Sequence, residues 1–118
     1  MRKISYLIFI FAVLAFSSCK KDKVEDIGID CPDEISYALD VATILVTSCN
    51  TSGCHNAAES AAGFVFENHS QVSDNATIIL NVIRHESGFS PMPQGSAKLS
   101  DEQINKVACW IEQGKLNN

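Results

Sequence analysis

The chain has 118 residues, 19% of them charged, and a formal net charge of −5 at pH 7. A chain of this length accommodates one small domain. The acidic balance excludes general nucleic-acid binding, which needs a basic footprint, and fits docking to a positively charged partner, although acidity also simply aids solubility.

The N-terminus has the features of an export signal. Arg2 and Lys3 precede an apolar run from Ile4 to Phe16. This run is short for a membrane span and suits the hydrophobic region of a secretory signal. Residues 1–18 are therefore predicted to be a cleaved signal peptide. Its removal takes away Arg2 and Lys3 and no acidic group, so the net charge would fall from −5 to −7.

The end of this signal resembles the lipoprotein box of bacterial lipoproteins. The segment Leu14-Ala15-Phe16-Ser17-Ser18 leads with small residues into Cys19. The resemblance implies that Cys19 becomes the lipidated first residue of an exported protein, held on the periplasmic side of a membrane or at the cell surface. An ordinary signal peptide followed by an unrelated cysteine is the alternative.

Residues 19–30 form a predicted tether, and residues 31–118 form the predicted domain. Lys20 to Asp30 is charged and nearly free of large apolar side chains, so it cannot bury enough surface to order itself. Its eleven residues reach at most about 40 Å. A domain on such a tether would stay close to the membrane.

The first predicted helix begins near Pro32-Asp33-Glu34, where proline and acidic residues suit a helix N-terminus. It runs directly into Cys49. Its apolar residues repeat at helical spacing: Ile35, Ala38, Leu39, Ala42 and Leu45.

The middle of the chain contains a second predicted helix. Asp74 can cap it, and Ile79, Val82 and Ile83 would share one face. Because residues 77–83 are rich in β-branched side chains, a strand is the alternative. Before it, Gly63-Phe64-Val65-Phe66 predicts a turn and a short extended piece.

The last helix has the clearest boundaries. Ser100 followed by Gln103 is a capping-box pattern, and Gly114 with Lys115 suits the C-terminal end. One face of this helix carries Ile104, Val107, Ala108 and Ile111.

The segment from Cys49 to His55 carries the chemistry of the chain. Two cysteines followed directly by a histidine are what covalent attachment of a c-type haem requires: each thiol adds to a vinyl group, and the imidazole binds the iron. Here the spacing is CxxxxCH instead of the usual CxxCH. The alternatives are a small-loop disulfide between Cys49 and Cys54 with His55 on the surface, or a contribution to a zinc site.

A methionine lies between two prolines in Ser90-Pro91-Met92-Pro93-Gln94-Gly95. The prolines stiffen this loop and hold out a soft thioether, as a distal haem ligand requires. Met92 is therefore the predicted distal ligand, and Phe64 and Phe66 are candidates to line a haem edge or simply the core. His69 and His85 are alternative distal ligands, although both fit solvated residues that flank a helix.

This order of elements, ending in Trp110-Ile111 within the last helix, resembles a small monohaem class I cytochrome c domain between Ile35 and Gly114. The resemblance implies an all-α fold of three to four helices around one covalently bound haem c. It also implies thioethers at Cys49 and Cys54, proximal ligation by His55 and distal ligation by Met92. The two extra residues between the cysteines depart from the family pattern and leave open how Cys49 reaches its vinyl carbon.

Two further cysteines remain, Cys31 and Cys109. In the cytochrome c fold the first and last helices pack together, so the resemblance implies that a Cys31–Cys109 disulfide is feasible, and export favours oxidation. Two buried free thiols are the alternative.

Two axial protein ligands leave no open iron position, so the expected function is one-electron transfer with a redox protein that presents a basic patch. We expect no catalysis and no small-molecule substrate, and Glu59, Glu67 and Glu86 fit a solvated surface. A cofactor-free, disulfide-stapled surface lipoprotein that acts as a binding module is one alternative. A five-coordinate haem sensor is the other.

Overall fold

The computed structural model describes residue 31 and residues 34–118, which form a helical domain. This part of the chain has four α-helices and no strand, so the all-α class is confirmed: α1 Ala42–Ser48, α2 His69–Asp74, α3 Ala76–Arg84 and α4 Asp101–Glu112. The predicted signal peptide, Cys19, the tether and the first-helix residues Pro32 and Asp33 lie outside the described residues. No helix within the described part is long and apolar enough to span a bilayer.

The first helical segment begins later than predicted and buries only part of the predicted apolar face. Ser36 is the N-cap, and a π-helical turn, Tyr37–Val41, leads into α1. The Val41 N–H donates to the Ser36 carbonyl five residues back, at 3.3 Å. This wider turn rotates the apolar stripe relative to a regular α-helix. Of the residues on the predicted apolar face, Ile35 and Leu45 are buried as expected, whereas Ala38 and Leu39 are exposed. Tyr37, Val41 and Ile44, which were not predicted, are buried as well.

The prediction that Asp74 caps the middle helix is wrong. Asn68 and Gln71 form a reciprocal capping box that starts α2 at His69, so Asp74 is already helical as the last residue of α2. Asn75 is the residue at the N-cap of α3. The β-branched segment is helical and not a strand, because Ile79 and Ile83, one helical turn apart, are both buried in the core.

The last helix matches the prediction closely. The Ser100 side chain accepts a hydrogen bond from the Gln103 N–H, and the Gln103 side chain accepts one from the Ser100 N–H, which confirms the capping box. α4 packs against α3 and against the first helical turn. Its inward face buries Ile104, Val107, Ala108, Cys109 and Trp110.

Trp110 anchors the C-terminal segment to this core. Its ring is fully buried, and its indole N–H donates to the Leu116 carbonyl at 2.8 Å. The His69 ring lies edge-on to Trp110, 5.8 Å between ring centroids, and donates from Nε2 to the Lys115 carbonyl at 2.8 Å. The interpretation of His69 as a solvated residue is therefore wrong, because its ring is half-buried in this cluster.

A disulfide joins Cys31 to Cys109, with the two Cα atoms 5.5 Å apart. This is the pair that the cytochrome c resemblance implied. The bond ties the start of the domain to the buried face of α4, where Cys109 is 1% exposed. It closes a long chain segment, with a sequence separation of 78 residues, and thereby restricts the unfolded chain.

We expect the Cys31→Ala variant to lower the free energy of unfolding by about 2–5 kcal/mol, the usual cost of removing a native disulfide from a small exported domain. Denaturant unfolding followed by tryptophan fluorescence measures this loss. Because either substitution breaks the same bond, the Cys31→Ala/Cys109→Ala double variant should be little less stable than the worse single variant. If the stability lost in the double variant equals the sum of the losses in the two single variants, the disulfide contributes nothing to stability.

Candidate functional site

The candidate site is a cleft between the Cys49–His55 segment, the face of α3 and the loop that carries Met92. Its cavity has a volume of about 360 Å³. Cys49, His55 and Met92 all line it, although His55 and Met92 are 37 positions apart in the chain. The rest of the lining is mainly apolar, with Phe64, Phe66, Ile78, Ile79, Val82 and Phe89. The fold thus brings the predicted attachment residue and both predicted iron ligands to one apolar cleft.

A second cavity, of about 570 Å³, adjoins the first and is lined by Cys54 as well as by the same three residues. Cys49, His55 and Met92 therefore border both spaces. Ligand cavities of this size and apolar character are typical of cofactor sites. All four residues predicted to hold a haem lie around this combined space.

The orientation of His55 is set by its backbone surroundings. Its Nδ1 lies 3.2 Å from the Phe64 carbonyl oxygen. Because a carbonyl only accepts, Nδ1 carries the proton and Nε2 keeps its lone pair for a metal ion. The His55 N–H also donates to the Cys49 carbonyl, and the His55 carbonyl accepts from the Phe66 N–H, both at 3.0 Å. These hydrogen bonds fix the orientation of the ring and leave Nε2 as the nitrogen that is not bound to the Phe64 carbonyl.

The aromatic segment after Gly63 supports this imidazole. Gly63 has a φ of +81°, which turns the chain so that Phe64 continues in extended geometry. The ring centroids of His55 and Phe66 are 4.8 Å apart. Phe66 is buried in the core and Phe64 is half-buried, and both line the cleft. The two interpretations of these aromatics are therefore compatible, since each ring is both a core and a cleft residue.

Both cysteines of the motif are free thiols. Cys49 is the C-cap of α1 and is buried, and its burial raises the pKa of its thiol to about 11, with nearby Cys54 adding to the effect. Cys54 is half-buried. The folded domain therefore does not contain the alternative Cys49–Cys54 disulfide. Within residues 31 and 34–118, no three His, Cys, Asp or Glu side chains cluster as a metal-binding group.

The Met92 loop is held to the end of α3 at two points. The Met92 N–H donates to the Val82 carbonyl, and His85 Nε2–H donates to the Met92 carbonyl, both at 3.0 Å. His85 occupies the C-cap of α3 with a φ of +61°. Its side chain is exposed, as expected, but it is bound to the loop. Neither His69 nor His85 lines the two cavities, whereas Met92 lines both.

Sequence reasoning missed the role of two acidic side chains. Glu59 and Glu67 are exposed, as predicted, yet both bind the backbone near the motif. Glu59 accepts a hydrogen bond from the Gly53 N–H, and Glu67 accepts one from the Ala57 N–H at 2.7 Å. The sequence contained a local signal for this turn. An asparagine three residues before another residue commonly closes a turn with its side chain, as Asn56 does with Glu59.

Comparisons with known proteins provide no family assignment. No family model matches the chain, and no curated protein and no solved structure matches it either.

We expect His85→Asn to loosen the Met92 loop without disturbing α3. Asparagine tolerates a positive φ but is too short to reach the Met92 carbonyl, so the variant removes the hydrogen bond and little else. A net loss of up to about 1 kcal/mol is expected for such a bond. Faster hydrogen exchange of the Met92 amide would report it.

The matched control is His69→Asn, which removes a different histidine-to-carbonyl bond. It should increase exchange near Lys115 and leave Met92 unchanged. Equal exchange at Met92 in the His85→Asn variant and the unmodified protein would contradict a clamping role.

Proposed function

We propose that this protein is an exported electron carrier that binds one haem covalently through Cys49 and Cys54, with His55 and Met92 as axial iron ligands. The single observation that carries the proposal is the meeting of His55 and Met92 at one apolar cleft, which the free thiol of Cys49 borders and whose adjoining cavity the free thiol of Cys54 lines. When bound, the haem iron supplies reversible one-electron chemistry between its ferric and ferrous states. The described domain is all-α, and a cytochrome c-like arrangement is part of the proposal.

The residues present fit this group in their donor chemistry. The imidazole of His55 has its Nδ1 proton bound to Phe64 and its Nε2 available as a nitrogen donor. The thioether of Met92 adds a soft sulfur donor on a loop held by two hydrogen bonds. Methionine as the second axial ligand favours the reduced iron and raises the reduction potential. If His55 and Met92 both bind the iron, no position would be left for oxygen or a substrate.

The apolar lining has a distinct task. Side chains from α3 and the aromatic segment would shield a bound haem from water, which would lower the local dielectric and so help to set the reduction potential. Phe89 is 42% exposed at this cleft, so the lining extends to the protein surface. The proposal therefore includes electron transfer between a bound haem and a partner protein at this exposed edge of the cleft.

Export and membrane attachment are part of the same proposal. The disulfide between Cys31 and Cys109 supports an oxidising compartment, where such bonds persist. A lipid on Cys19 would hold the carrier near a membrane, and the acidic charge of the chain would favour a redox partner with a basic patch. The carrier would then serve a partner close to that membrane.

The proposal is tested by expressing the full chain with its signal in a host that has a cytochrome c maturation system. We expect intact mass to increase by one haem and a denaturing gel to stain for covalent haem. After denaturation, Cys49 and Cys54 should both resist alkylation, because thioethers have replaced the thiols. The Cys49→Ala/Cys54→Ala variant is the control and should carry no covalent haem. A colourless protein with two alkylatable thiols would reject the proposal in favour of a cofactor-free binding module.

The axial assignment is tested by Met92→Ala. Loss of the thioether should change the ferric absorption spectrum, lower the reduction potential and let the ferrous protein bind carbon monoxide, because one iron position opens. Gln94→Ala alters a neighbour that lines both cavities but offers no sulfur, so the ferrous variant should still not bind carbon monoxide. An unmodified protein that already binds carbon monoxide would indicate a five-coordinate haem sensor instead.

A further inference from the structure

The loop between the two motif cysteines has a defined fold despite its additional length. Its ends come together, since the His55 N–H donates to the Cys49 carbonyl at 3.0 Å. Within it, the Cys54 N–H donates to the Thr51 carbonyl, also at 3.0 Å. Gly53 has a φ of +81°, which side chains rarely permit, so the turn depends on glycine at this position. The extra residues thus bulge outward while the chain returns to Cys49.

The Glu59 carboxylate binds this bulge directly. It accepts hydrogen bonds from the Gly53 N–H and, at 3.4 Å, from the Ser52 hydroxyl. It also accepts one from the Asn56 side-chain amide at 2.7 Å. These bonds to an ionised acceptor are stronger than bonds between neutral groups. Glu59 is therefore bound to two neighbouring residues in the middle of the long loop, Ser52 and Gly53.

Asn56 completes the same network. Its Nδ2 also donates to the Thr51 carbonyl at 3.1 Å, and its Oδ1 accepts from the Ala58 and Glu59 N–H groups at 3.0 and 3.1 Å. Asn56 therefore closes a local turn that presents Glu59 to the loop. All three residues from Thr51 to Gly53 are held by this pair.

We propose that Glu59, supported by Asn56, is a positioning residue that folds the additional loop length aside so that Cys49 and Cys54 can both form thioethers with one haem. A flexible loop of this kind otherwise samples many end separations, and closing it costs conformational entropy. The hydrogen bonds from Asn56 and Gly53 also lower the pKa of the Glu59 carboxyl, so the ionised form is the one that the folded loop favours. The proposal rests on the proposed function, since it concerns attachment of the same haem.

The test uses the exported full chain with a cytochrome c maturation system. Intact mass gives the fraction of protein with covalent haem, and alkylation after denaturation gives the number of thioethers per haem. We expect Glu59→Ala to reduce the yield of protein with two thioethers by at least about threefold, because each lost bond is worth a factor of a few. Protein with one alkylatable motif cysteine should accumulate. Glu59→Gln keeps an acceptor oxygen at the same reach and should restore most of the yield.

Two further variants separate positioning from general effects. Glu86→Ala removes an equal charge from an exposed side chain at the end of α3 and should leave thioether stoichiometry unchanged. Deleting Ser52 and Gly53 creates the usual spacing, and in that shortened chain Glu59→Ala should have no further effect on stoichiometry. If Glu59 only stabilised the fold, Glu59→Ala would reduce the yield of protein with two thioethers equally in the natural and the shortened loop.

The outcomes distinguish the two proposals. If the unmodified protein carries haem with two thioethers and the Glu59→Ala variant gives the same yield of such protein, the positioning role is wrong and the proposed function stands. An equal loss in the long and the shortened loop would also overturn the positioning role. If the unmodified protein carries no covalent haem, the proposed function fails, and the positioning role fails with it.

Discussion

The hydrogen bond from His55 Nδ1 to the Phe64 carbonyl oxygen is the constraint on which the site depends. It holds the imidazole plane and places a proton on Nδ1, so that Nε2 is the nitrogen left for the proposed iron. Two neighbouring bonds reinforce it: the Phe66 N–H donates to the His55 carbonyl, and the Asn50 side-chain amide donates to the Phe66 carbonyl at 2.7 Å. The motif loop and the aromatic segment therefore act as one unit.

This unit meets the Met92 loop because the helical core sets their separation. α4 packs against α3, whose Ile79 and Ile83 lie in the core while Ile78 and Val82 line the cleft. The Val82 carbonyl then receives the Met92 N–H. One helix thus connects the packing of the domain to the position of the proposed sulfur ligand. The disulfide and the buried Trp110 belong to the same small core and stabilise it further.

Prediction from sequence worked where the signal was local and failed where neighbouring signals competed. The capping box at Ser100 was predictable because its partners are three residues apart. The Asp74 cap was wrong because the Asn68 capping box starts a helix earlier. The exposed Leu39 was misplaced because helical periodicity assumes 3.6 residues per turn, and a π-helical turn breaks that period.

The sequence by itself determined which chemical groups are available: two thiols, an adjacent imidazole and a thioether between two prolines. It also determined most of the helical segments, since periodicity and caps depend on residues a few positions apart. Only the tertiary structure decided that Met92 shares a cleft with His55 and that Cys31 bonds to Cys109. The reason is physical: such contacts arise when whole helices pack against each other, and no short stretch of sequence encodes that packing.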